Sequence, residues 1–428
     1  MSFRKWLVVL GIVAVVFALS ACAQESSPND LEGNGGEEGA SGVETTQISF
    51  IHWRGEDQAV FEEIIAQFEE ENPNIKVEMN VYPSDQYQST AQTLIRDGST
   101  GDVFASQPGT QFEAIKNAGL FEDLSNEDFV SNFDENAIEV GQDEEGRQLA
   151  LPYQMVFNMP VYNKGLFDEL GLEVPKSWSE FQEVADTLLE HDIIPIAFPG
   201  ADIGPNQFMN SMMMNNAKDE DIFAKLESGE ESLTNDWWVK TLEDFQLLLE
   251  KGYIQEDALG TNQDAAMAMV ASGDAAMLAT GSYHMASLKE LNPELELDLI
   301  APITVEEDEV EYEGIHTATF MLAVNSNSEK KEEAKAFIDF LTRPDIASQY
   351  ANGTGQHLTV KDVEYESEEL RNTAYWLSER KTRFQPRYLI TNSQVENAVL
   401  SSIEAVLGGQ EPSEAAAEAQ KLVEENIE

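Results

Sequence analysis

The stretch ISFIHWRGEDQAVFEEIIAQFEEENPNIKVEMNV, residues 48–81, decides the fold class. Ile48 to Trp53 is a compact apolar run of strand length. Val60, Phe61, Ile64, Ile65 and Phe68 then recur at helical spacing and form one apolar stripe. Asn72-Pro73-Asn74 stops the helix, because proline has no N–H to continue the ladder. Ile75, Val77, Met79 and Val81 alternate with polar residues, the period of a half-buried strand. Strand, helix and strand in that order make a β-α-β unit, the seed of a parallel sheet.

The alternation continues outward. Tyr87, Ala91, Leu94 and Ile95 predict a helix closed by Asp97-Gly98, and Asp102 to Ala105 a short strand. Gln148 to Tyr153 and Ile193 to Phe198 read as strands, and Ser177-Trp178-Ser179-Glu180 as a capping box before a helix. Asp236 to Lys251 is amphipathic, with Trp238, Leu242, Phe245 and Leu249 on one face. Met209 to Met214 is expected to fill a core. Ile315 to Val324 predicts a strand, Glu329 to Leu341 a helix, and the tail from Ser393 a helix broken at Gly408-Gly409. The class is α/β throughout.

The amino terminus carries an address. Arg4 and Lys5 precede an apolar run from Trp6 to Leu19, too short to span a bilayer, which predicts a secretory signal over residues 1–21. Leu19-Ser20-Ala21-Cys22 resembles the lipobox of bacterial lipoproteins, which implies that Cys22 is diacylated and anchors the chain to the membrane. Cys22 is the only cysteine, so no internal disulfide forms. Residues 22–46 are rich in Ser, Gly, Asn and Glu and read as a flexible tether.

The formal net charge is −55, from 80 acidic residues against 25 Lys and Arg. Nucleic acid is excluded, since no basic surface exists to displace phosphate counterions. The acids are dispersed and read as a solvated surface suited to salt or alkali. A cationic ligand caged by Trp and Tyr rings stays open beside a neutral one. With 80 acids, paired carboxylates carry no glycosidase signal. Gly-x-Ser-x-Gly, His-Glu-x-x-His and P-loop patterns are missing, so no enzyme is expected. The five histidines are scattered without zinc-site spacing, and neither metal nor cofactor is expected.

Four stretches resemble the family 1 extracellular solute-binding proteins of ABC importers, the group that includes maltose-binding protein. They are Phe68 to Val77; Tyr162-Asn163-Lys164-Gly165-Leu166-Phe167 with Gly171, Pro175 and Trp178; Ser272 to Met277 with Gly281-Ser282-Tyr283; and Ala334 to Leu341. The resemblance implies a two-lobed periplasmic-binding-protein type II fold, each lobe a mainly parallel sheet flanked by helices. It implies an N-lobe of residues 47–153 plus 316–355 and a C-lobe of 154–315 plus 356–428. Crossings are expected near Tyr153 to Met155, near His316, and near Thr354 to Val360. It further implies a monomer at the outer face of the membrane that hands a small molecule, a sugar by preference and otherwise a cationic amine, compatible solute or peptide, to permease subunits.

A sugar offers C–H faces to aromatic rings and a rim of hydroxyls to amides and carboxylates. Trp53, Glu56 and Asp57 follow the first strand in a loop that faces the cleft in the family, and Arg54 beside them is suited to pairing with a carboxylate. Gln107 follows the next strand, and Gln154 sits at the first expected crossing. Tyr283 stands where the family usually has a stacking Trp. Phe320, Phe384 and Tyr388 are weaker candidates.

Overall fold

The computed structural model describes residues 45–427; the signal segment, Cys22 and nearly all of the tether lie outside the described residues. The opening unit forms as its periodicity predicts. Strand β1 (Thr46–His52) pairs in parallel with β2 (Ile75–Val81), in the register Phe50↔Met79, through the helix Gln58–Glu71. Phe61, Ile64, Ile65 and Phe68 are the residues this helix buries. At its end the Asn72 N–H and side-chain amide both donate to the Phe68 carbonyl, at 2.8 and 3.0 Å, before Pro73 turns the chain.

Nine further strands follow among the described residues: β3 (Val103–Ser106), β4 (Leu151–Phe157), β5 (Val161–Asn163), β6 (Ile194–Ala197), β7 (Ala275–Leu278), β8 (Leu297–Leu299), β9 (Gly314–Val324), β10 (His357–Leu358) and β11 (Thr382–Phe384). One sheet has the order β10-β4-β9-β3-β1-β2, with β11 on β9, and the second has the order β6-β7-β5-β8. Neither is mainly parallel, which corrects the sequence expectation. β9 runs antiparallel to β3 and β4, β10 to β4, and β5 to both β7 and β8. β9 and β5 each enter their sheet from the other half, and so run against the neighbouring strands that start within it.

Each sheet has its own core. Phe50, Phe61, Phe68, Tyr153, Leu322, Phe337 and Tyr350 fill the first. Trp178, Phe208, Trp238, Phe245 and Ile403 fill the main core of the second, including Met209, Met212 and Met213, which pack as core. A neighbouring cluster holds Phe157, Val161, Leu278, Ile315 and Trp376. β4 therefore begins in the first core at Leu151 and ends in the other half at Phe157, and β9 makes the reverse passage from Ile315 to Phe320. The third passage falls later than expected: Leu358, Val360 and Leu370 still pack in the first core, and Tyr375 and Trp376 are the first large residues after them to pack in the other half. The two-residue β10 pairs with β4 and keeps this segment in the first half.

Local signals in the second half are mostly as read. Ser177 accepts the Glu180 N–H at 3.2 Å, but Glu180 returns to the Lys176 N–H rather than to Ser177 itself. Trp238 is fully buried, its indole N–H on Ser402 at 3.0 Å.

Candidate functional site

A cavity of about 150 Å³ lies where the two halves face each other. A larger hollow of about 480 Å³, around Tyr162, Asp298 and Trp376, is lined without any residue of β1, β3 or their loops. Only the smaller cavity combines the ends of first-half strands with loops of the second half, so it is the candidate site.

The loop after β1 supplies Trp53, Arg54 and Glu56. Arg54 is 5% exposed and donates to Asp57 Oδ2 and Oδ1 at 2.8 and 3.1 Å, with Glu56 Oε1 3.1 Å from its other terminal nitrogen. Burial works against this cation, but Asp57 and Glu56 outweigh it and raise the Arg54 pKa. Asp57 is only 1% exposed and also accepts from Tyr350 at 2.5 Å and Gln154 at 3.2 Å. It lies behind the cavity wall, a correction to its expected ligand contact: a carboxylate with these donors is committed inward.

Trp53 packs on Tyr87 and Phe320, with ring centroids 5.4 and 5.2 Å away. Phe320 is fully buried and absent from the lining, a second correction. Its backbone is left-handed, φ 48°, which costs an aromatic residue roughly 1–3 kcal/mol and persists only where packing over-determines it. Here His52, Trp53 and Phe61 hold the ring, and Thr319, one residue before the irregularity, reaches the cavity. Phe384 is the third correction. Its strand pairs with the start of β9, Phe384↔His316, so its ring meets His316 instead of the cleft.

Tyr283 enters from the opposite side on a turn fixed by Ser282, whose Oγ accepts the Phe157 N–H at 3.1 Å. Gly281 is required there: a Cβ would lie 2.4 Å from the Tyr283 ring and 2.9 Å from the Phe157 carbonyl. The Tyr283 hydroxyl and His284 Nδ1 are buried polar atoms with no partner in the protein. Burial raises the Tyr283 pKa; burial, then Arg54, lowers that of His284 to about 3, so both are neutral at pH 7.

Gln107, Gln154 and Tyr283 line the cavity with Trp53 and Glu56, so five of the eight sequence candidates come together. Asn158, Gln207, Gln263, His284, Thr319 and Tyr388 join them. Of these, only Tyr388 is among the sequence candidates. Asn158 could have been suspected from its place just after β4; Gln263 opens an ordinary helix and carries no sequence signal. The lining thus holds five side-chain amides and a single Arg54–Glu56 ion pair, inside a protein of net charge −55.

Two α/β halves joined by strands that pass between them, around an amide-lined cleft, define a two-lobed binding-protein fold. The chain belongs to the family of bacterial extracellular solute-binding proteins, which residues 53–348 match. It is similar to the multiple sugar-binding protein of Streptococcus mutans, 23% identical over 380 residues and covering 85% of this chain and 84% of that one. It is also similar to the melibiose/raffinose/stachyose-binding protein MelE of Bacillus subtilis, 21% identical, covering 81% and 79%. Among solved structures, the solute-binding protein RafE in complex with raffinose superposes with a TM-score of 0.76 at 20% identity, covering 90% of this chain and all of that one. A Bacillus licheniformis sugar transporter in complex with stachyose gives 0.74 at 21% identity, covering 89% and 99%. No helix among the described residues is long and apolar enough to cross a membrane.

Proposed function

We propose that this chain captures an uncharged carbohydrate, a monosaccharide or short oligosaccharide, between its halves and delivers it to the permease of an ABC importer. The observation that carries this reading is the charge balance of the cleft. Its one cation and its one anion neutralise each other, and the remaining polar groups are amides, hydroxyls and a neutral imidazole. Amides both donate and accept, which suits hydroxyls that do the same. Trp53 and Tyr283 offer ring faces to the C–H surfaces of a pyranose. The names of MelE and of the raffinose- and stachyose-bound neighbours point to the same ligand class. Glu56 and Asp57 are both held by Arg54, so the cleft offers a cationic amine no free carboxylate.

Closure would follow from bending where β4 and β9 pass between the cores, a hinge transition. Lipidation of Cys22 would keep the protein at the outer face of the membrane, and the two outer surfaces of the closed form would meet the permease.

Raffinose, stachyose, chitin oligosaccharides and monosaccharides should be screened by thermal shift against choline and other amines. One sugar should raise the melting temperature progressively, as a ligand at a hundred times its Kd adds about 2.7 kcal/mol. Stabilisation by an amine and by no sugar would end the carbohydrate reading. With the sugar found, Tyr283→Ala should weaken binding by about 2 kcal/mol, near thirtyfold, as for a buried aromatic anchor. Affinity within twofold of the wild type by calorimetry would remove Tyr283 from the site.

A further inference from the structure

Away from the crossing strands, the halves meet at a second place. Gly109 lies between β3 and the first-half helix Thr110–Asn117, with φ 79° and ψ −140°, a conformation other residues rarely adopt. A Cβ there would stand 3.2 Å from the Tyr388 Cα and carbonyl and from the Ile390 carbonyl, so the missing side chain lets the second half approach. The next residue, Thr110, donates its hydroxyl to Glu396 Oε2 at 2.7 Å. Glu396 belongs to the second-half helix Ser393–Leu407, whose Val395, Ala398, Val399 and Ile403 are core. Its other oxygen, Oε1, accepts from Arg387 Nε at 2.6 Å. Both partners of this ion pair are more than nine-tenths buried, and Arg387 Nη1 has no partner in the protein. The Asn210 amide oxygen fixes the Arg387 N–H at 3.0 Å, and the guanidinium lies 5.5 Å from the ring of Tyr388, which lines the cleft.

We propose that Gly109, Thr110 and Glu396 form a clasp that holds the halves together and so sets how tightly the cleft retains its ligand; this rests on the reading of the cleft as a closing binding site. Glu396 is a positioning residue, outside the cavity lining. It receives one donor from each half, and the Arg387 contact stays within the second half whatever the halves do. Only the Thr110 hydroxyl bond is made on closure and surrendered to water on opening. A hydrogen bond to a buried carboxylate contributes about 1.5–3 kcal/mol, so it shifts the ratio of closed to open molecules about tenfold or more. The clasp acts without reference to the ligand's chemistry.

The test uses spin labels at Asn117→Cys and Glu404→Cys, both exposed and one in each helix, in a Cys22→Ser background, with distances measured by pulsed electron resonance in the absence of ligand. The parent should populate mainly the short distance. Thr110→Val keeps the residue's shape and leaves the Arg387–Glu396 pair intact, and it should lower the ratio of short to long distances about tenfold. Thr110→Ser restores the hydroxyl and should return the parent distribution. A Thr110→Val distribution matching the parent, or a parent already at the long distance, would overturn the clasp. A chain that shows these shifts yet binds no sugar would keep the clasp and lose the carbohydrate reading.

Discussion

Lowering the pH from 7 to 5 should remove on the order of 5 kcal/mol of folding stability. Burial lowers the pKa of His52 and His284 to about 3 and that of His357 to about 4, against 6.5 for a free imidazole. Between those values the unfolded chain binds protons that the folded chain refuses. Stability is therefore full above about pH 6.5 and is lost as the pH falls toward the folded values, at about 1.4 kcal/mol per pH unit for each histidine. Urea unfolding at pH 7 and pH 5 measures it. His52→Asn should flatten the slope by about one histidine's share while its amide oxygen still accepts from the Arg54 N–H, which His52 Nδ1 now takes at 3.1 Å. Equal stability at the two pH values would show that these imidazoles titrate normally.

Asp57→Ala should destabilise the fold by about 3–5 kcal/mol, because it strands the buried Arg54 cation beside a single, half-exposed Glu56. The loss extends further, since Tyr350 and Gln154 both donate to the same carboxylate. Asp57→Asn keeps an acceptor and should cost less. Chemical unfolding checks both, and an alanine variant within 1 kcal/mol of the parent would mean that the network carries no net stability. Binding should weaken as well in Asp57→Ala, because Arg54 forms part of the cavity wall.

The contrast between Glu56 and Asp57 marks where the sequence stops being informative. They are adjacent acids in one loop, and nothing local separates them. Glu56 lines the cleft, while Asp57 turns inward to a tyrosine 293 positions away. Tyr283 was legible because its Gly-Ser-Tyr turn follows a strand in a recognisable segment. Phe384 was misread because its strand's register on β9 is a long-range choice. Asn158, Gln207 and Gln263 come from three separate elements, and only folding brings them to one cavity.

Periodicity alone determined the alternation of strands and helices, the buried stripe of Phe61, Ile64, Ile65 and Phe68, and the core role of the methionine run, since these depend on spacing within one element. The order and direction of the strands, the late third passage at residues 370–376, and the neutral cleft inside an acidic protein were decided by the tertiary structure. Pairing between distant segments depends on which surfaces meet when the chain closes on itself, and no local pattern carries that information.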